Sequence, residues 1–137
     1  NLINYKSKTN IKNHILYSTK ELLGLPYLWG GKSAFGFDCS GLVQSILKIC
    51  DVNLPRDTSK QILSTILEEN NREPDIGDLI FFKTNKLIDH IGLYINKIDF
   101  IHSSGTVKIN SINDKSKYYC QKLSKKYFKT FRILLSN

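Results

Sequence analysis

The run Phe37-Asp38-Cys39-Ser40-Gly41-Leu42-Val43 marks a change of character in the chain. Before it lies a glycine-rich, aromatic stretch that includes Tyr27-Leu28-Trp29-Gly30-Gly31, and after it an apolar run. Leu42, Val43, Ile46, Leu47 and Cys50 follow Cys39 at three- and four-residue spacings, which predicts a helix with one buried face. Cys39 then falls in the first turn of that helix. Unsatisfied backbone N–H groups and the positive end of the helix dipole favour an anion there, so the thiol pKa is expected to fall. A thiolate is a nucleophile, and this is where one would be held.

The rest of the chain divides into helices first and strands second. Residues 12–23 read as a helix with Ile15, Thr19, Leu22 and Leu23 on one side, stopped by Gly24-Leu25-Pro26. Residues 27–38 contain three glycines with Tyr27, Trp29, Phe35 and Phe37, a composition that lets backbone approach a ligand and surrounds it with aromatic faces. Asn53-Leu54-Pro55-Arg56 breaks the Cys39 helix. Thr58-Ser59-Lys60-Gln61 fits a capping box, and Ile62, Leu63, Ile66 and Leu67 extend a predicted helix to about Glu69. Pro74-Asp75 and Gly77-Asp78 are turn signals. Short apolar runs follow at 79–82, 90–95, 100–102, 107–109 and 127–135. The expected class is α+β, with N-terminal helices packed on an antiparallel sheet of about five strands.

His90 and His102 fall on consecutive predicted strands. A connection centred on Asn96 sets them directly opposite each other on one face, with Cβ atoms roughly 4.5–5.5 Å apart. A one-residue slip would separate the rings. An imidazole beside Cys39 can take the thiol proton while a second polar group fixes its tautomer. Zinc is the rival chemistry for one cysteine and two histidines, but no Cys-x-x-Cys or His-x-x-x-His pair supports it, so no metal and no cofactor is expected. The third histidine, His14, reads as a surface residue.

At 137 residues and 41% hydrophobic content the chain is long enough for one domain with its own core. No apolar run approaches the roughly 20 residues that span a bilayer. The N-terminal residues lack a signal-peptide core. With no methionine anywhere, the chain reads as a mature or excised piece. A net charge of +8, carried by lysines spread along the chain and denser over 115–129, suits an acidic polymer, and no motif for specific nucleic-acid binding accompanies it. Three cysteines allow at most one disulfide; Cys50 reads as a core residue, and a Cys50–Cys120 bridge is conceivable in an exported protein.

Six pieces in series resemble the NlpC/P60 family of papain-like cysteine peptidases. They are Pro26-Tyr27-Leu28-Trp29-Gly30-Gly31, the Phe37–Val43 run, Leu54-Pro55-Arg56, Gly77-Asp78-Leu79-Ile80-Phe81-Phe82, His90-Ile91-Gly92-Leu93-Tyr94 and Phe100-Ile101-His102. The resemblance implies a papain-like fold and a Cys-His-His arrangement of Cys39, His90 and His102. It implies hydrolysis of peptidoglycan stem peptides, commonly between γ-D-glutamate and a diamino acid. Asp38 and Ser40 match positions that line the substrate site, with Trp29 beside them. Tyr27 matches a tyrosine that binds or polarises the reacting carbonyl, and Arg56 a recurring arginine with a structural or site-bracing role. Residues 1–11 read as a basic lead-in or linker remnant and 12–137 as the catalytic domain, expected to be exported and to follow a wall-binding domain. Acyl transfer or another amide cleavage at the same site is an alternative, as is a non-catalytic module that binds wall peptides.

Overall fold

The computed structural model describes residues 8–28, 30–33 and 36–134. The first helix, α1 (Lys8–Leu22), starts four residues before the expected 12 and turns Ile11 and Ile15 inward, while Leu23 is exposed. A two-stranded hairpin, β1 (Lys32–Ser33) and β2 (Gly36–Phe37), leads into α2 (Cys39–Lys48). Asp38 is the N-cap of α2: its carboxylate accepts the Gly41 N–H at 2.7 Å, satisfying one of the unpaired donors of the first turn. Leu42, Val43, Ile46 and Leu47 are buried along one face of α2. Each such side chain contributes about 1.5–3 kcal/mol of burial free energy, so α2 is held by its apolar face.

The segment after α2 differs from expectation. Thr58 and Gln61 do not cap a long helix; α3 (Thr58–Gln61) is a single turn whose N-cap is Asp57, without a side-chain capping bond. Both polar side chains are used elsewhere, as described below. The chain then extends into β3 (Leu67–Glu69), paired with the last strand. Tertiary pairing here overrides an apolar spacing that suits a helix equally well.

Strands β4 (Leu79–Thr84), β5 (Leu87–Tyr94), β6 (Asp99–Ser104), β7 (Thr106–Ser111) and β8 (Tyr127–Ile133) complete a six-stranded antiparallel sheet of order β3-β8-β4-β5-β6-β7. A short helix, α4 (Gln121–Lys126), precedes β8. The side-chain period of two divides the sheet into two buried faces. Leu79, Phe81, Ile91, Leu93 and Ile101 join the core formed with α1 and α2. Ile80, Phe82, Tyr94 and Phe100 form a second cluster, with Ile112 and Leu123 of α4 packed on it. Gly92 lies where the strands are tightest: a Cβ on the second face would meet the Phe100 ring at 2.7 Å.

The turn ahead of β4 is fixed by a buried carboxylate. Asp78 is 2% exposed and accepts two bonds from Arg132, each at 3.0 Å, together with the Asp75 N–H and the Asn70 amide. A buried charge needs this number of donors to offset its desolvation. His14 is not a loose surface group; its Nε2 lies 3.0 Å from the Ile46 carbonyl and ties α1 to α2.

Candidate active site

Cys39 is the first residue of α2, and its side chain is 8% exposed in the core between that helix and the sheet. Its sulfur lies 3.7 Å from Thr58 Oγ1 and donates to the Asp89 carbonyl at 3.8 Å. The Ile91 N–H also reaches the sulfur, so the peptide groups on either side of His90 bracket the thiol. Burial pushes the Cys39 pKa up, not down, with the Thr58 hydroxyl and the Ile91 and Ser40 N–H groups pulling it partly back. The expected easy ionisation is thus corrected: desolvation outweighs the stabilisation offered at the helix start. The resting thiol is neutral and requires a base.

Around the thiol stand the residues of the Phe37–Val43 run. The Asp38 carboxylate, 14% exposed, pairs with Arg56 Nη2 at 2.7 Å, and Arg56 Nη1 donates to Ser40 Oγ at 2.8 Å. Asp38 and Ser40 are therefore already engaged by Arg56 and by the first turn of α2. Gly41 leaves room for this knot, since a Cβ there would meet Asp38 Oδ1 at 2.7 Å and the Gly31 carbonyl closer still. Tyr27 bridges to Phe37 beside the site, and burial, then the nearby Cys39 and Asp38, raise its pKa. Its hydroxyl is a hydrogen-bond donor at neutral pH. Gln61, fully buried, donates to the Ser40 carbonyl at 3.2 Å. Trp29 lies outside the described residues.

The two histidines are brought together, although not by the expected register. The β5–β6 connection centres on Lys97, pairing Leu93 with Ile101 and Tyr94 with Phe100. The reason is an Asx turn: Asn96 Oδ1 accepts the N–H groups of Ile98 and Asp99 at 2.8 and 2.7 Å. The shift of two residues preserves the face, so His90 and His102 meet as diagonal neighbours. His90 Nε2 and His102 Nδ1 are 2.8 Å apart, and His102 Nε2 lies 2.8 Å from Asn110 Oδ1. Burial lowers the His90 pKa to about 3, with His102 and Lys126 adding to it, and lowers His102 to about 4 against the Asn110 bond. Both rings are neutral at pH 7.

The histidine pair and the thiol have different packing neighbours around β5. α2 packs on the face of Ile91 and Leu93, whereas His90 stacks with Phe82 and His102 with Phe100 in the second cluster. Neither imidazole is a hydrogen-bond partner of Cys39. The strand is irregular at this point: the β4–β5 pairing passes from Phe82–His90 to Lys83–Ile88 and leaves Asp89 as the extra residue. Bulges of this kind re-aim side chains.

Sequence reading missed Asn110 and Thr58. A hairpin centred on Gly105, which has φ +73°, would have set Asn110 on the His102 face. Thr58 carries no comparable signal, because its approach to Cys39 depends on how α3 docks. All three cysteines are free thiols.

A model described as the NlpC/P60 family matches residues 24–132. Two relatives described as gamma-D-glutamyl-L-lysine dipeptidyl-peptidases come from Bacillus cereus and Bacillus subtilis. The first is 35% identical over 72% of this chain, and the second 42% over 63%. The chain spans only 32% and 30% of the length of these relatives. The crystal structure of an NlpC/P60 family protein from Bacillus cereus superposes with a TM-score of 0.74 at 30% identity, covering 91% of this chain and 40% of that one.

Proposed function

This chain belongs to the NlpC/P60 family, and from that premise we propose that it is a cysteine peptidase of bacterial peptidoglycan. The bond cleaved is the one between γ-D-glutamate and a diamino acid in the stem peptide. The observation that carries the reading is the placement of Cys39 at the start of α2, its sulfur bracketed by the peptide groups flanking His90. The two relatives described as acting on γ-D-glutamyl-L-lysine support the substrate class. Such a substrate lies outside the cytoplasm, and so would the protein.

In this reading His90 turns toward the thiol at the Asp89 bulge when substrate binds, takes the Sγ proton, and leaves a thiolate to attack the amide carbonyl. Catalytic hydrogen bonds are commonly open before substrate arrives. His102 holds the ring, itself oriented by Asn110. The Cys39 N–H and the Tyr27 hydroxyl donate to the oxyanion, a contribution of roughly 3–4 kcal/mol per donor in comparable sites. Protonated His90 gives its proton to the leaving amine, and water then releases the acyl group from sulfur. The Asp38–Arg56–Ser40 knot holds the first turn of α2 still during these steps.

The absence of a thiol–imidazole hydrogen bond also supports a second reading, a module that binds wall peptides without cleaving them. Mass spectrometry of free and D-lactoyl-capped stem tetrapeptides, with wild-type protein and the Cys39→Ala variant, separates the two. Cleavage after γ-D-glutamate that vanishes in the variant is the expected result. Binding without cleavage by the wild type would replace the peptidase with the module. A product amide formed with an added amine would instead mark an acyltransferase.

A further inference from the structure

On the α4 face of the sheet a cavity of about 410 Å³ opens above the histidine pair. Lys108 of β7 and Lys122 and Lys126 of α4 line it, with Asp89 as its one acidic lining residue. None of the ion pairs among the described residues involves these three lysines, whereas Lys12, Lys97 and Lys129 are each paired. Lys122 and Lys126 are spaced i, i+4 on one helix, an arrangement of like charges that is mildly destabilising until a counter-charge sits between them. Burial chiefly lowers the basicity of both rings, and the charges of Lys126 near His90 and Lys108 near His102 add to it, which places these lysines within electrostatic reach of the histidine pair.

We propose that this cavity is a carboxylate-binding subsite in which Lys108, Lys122 and Lys126 select acidic peptides. The inference rests on the peptidase reading for its occupant. A glutamate linked through its γ-carboxyl keeps its α-carboxylate free, and the residue that follows can bring another. Lysine ammonium groups are point charges without the planar fork of arginine, suited to carboxylates approached from several directions. The cavity is large enough for a carboxylate together with the residue that bears it. Asp89 both lines the cavity and offers its carbonyl to Cys39, which joins the subsite to the thiol through one residue. An occupying carboxylate would also offset the lysine charges, which add to burial in lowering the basicity of the two imidazoles.

The test uses the Cys39→Ala protein, so that binding is read without turnover. Calorimetry compares γ-D-glutamyl-L-lysine with the same dipeptide carrying carboxamides, at low and high salt, with inorganic phosphate as a separate arm. The diacid is expected to bind at least about tenfold more tightly than the diamide, and the Lys122→Ala/Lys126→Ala variant to lose about that factor for the diacid alone. High salt should narrow the difference. Cys120, a half-buried wall of the cavity, supplies a second readout: with Cys39 gone and Cys50 fully buried, its alkylation by iodoacetamide should slow when the diacid is present. Equal affinity for acid and amide, an unchanged lysine variant, or tighter binding of phosphate than of the diacid would overturn the assignment. Hydrolysis by the wild type is scored separately. Cleavage without carboxylate preference removes the subsite and keeps the peptidase, and carboxylate-selective binding without cleavage does the reverse.

Discussion

The two faces of the sheet are built for different tasks. Against α2 the packing is aliphatic and closed, and the Cys39 thiol is held neutral by burial. Against α4 the packing is aromatic and opens into a cavity, where two neutral imidazoles, an asparagine and three lysines meet. β5 belongs to both, with Ile91 and Leu93 on one side and His90, Gly92 and Tyr94 on the other. The comparison teaches that the thiol and the imidazole pair have separate surroundings and that the peptide groups around His90 are the link between them. Neutrality on both sides fits that division. A buried thiolate and a buried imidazolium would each carry a desolvation cost.

The sharpest way to break the comparison is to remove the base side. His90→Ala should lower kcat/KM by about 10²–10⁴-fold, the range of a general base, with Cys39 still present. Stopped-flow hydrolysis of a stem tetrapeptide checks this, and an unaffected rate would show that the second face takes no part in the chemistry. His102→Gln should cost less, on the order of tenfold to a hundredfold, because it disturbs the orientation of the ring that reacts. The reverse order of losses would exchange the two roles.

On the thiol side, Asp38→Ala removes the α2 cap and leaves Arg56 without its carboxylate. A stability loss of about 1–2 kcal/mol is expected in urea unfolding, while the Phe82–His90 side should keep its packing. A further test is on pH. Both histidines have lowered pKa values in the fold, so the unfolded chain binds protons first. Their contribution is complete above about 6.5 and is lost as pH falls toward about 4 for His102 and about 3 for His90. Urea midpoints measured across that range should decline toward acid, and His90→Gln should flatten the decline.

The Cys39 helix was legible in the sequence because its apolar spacing and its burial have one cause, packing of Leu42, Val43, Ile46 and Leu47 against the sheet. The pairing of His90 with His102 was legible only up to an even shift of register. Alternation fixes the face, but the Asn96 side chain chose the turn. Two readings failed for physical reasons. Thr58 and Gln61 have the spacing of a capping box, yet a thiol and a buried carbonyl claim their side chains. The helix start that should acidify Cys39 is itself buried, and desolvation is a property of the assembled fold that no local pattern carries. Asn110 could have been found from the Gly105 turn, since a tight hairpin propagates its register along both strands.

The bond from Cys39 sulfur to the Asp89 carbonyl joins residues 50 apart, and that from Ser103 to the Phe37 carbonyl joins residues 66 apart. Contacts of such sequence separation form late, because the intervening chain must be ordered before they hold. While the chain is being made, α2 emerges well before β5, and its cysteine waits without the strand that brackets it. The thiol environment thus depends on β5 being in place beside α2 and not on the local helix alone. A hydrolytic activity assembled in this way would be silent in nascent or partly folded chains, and its appearance would time the docking of the sheet.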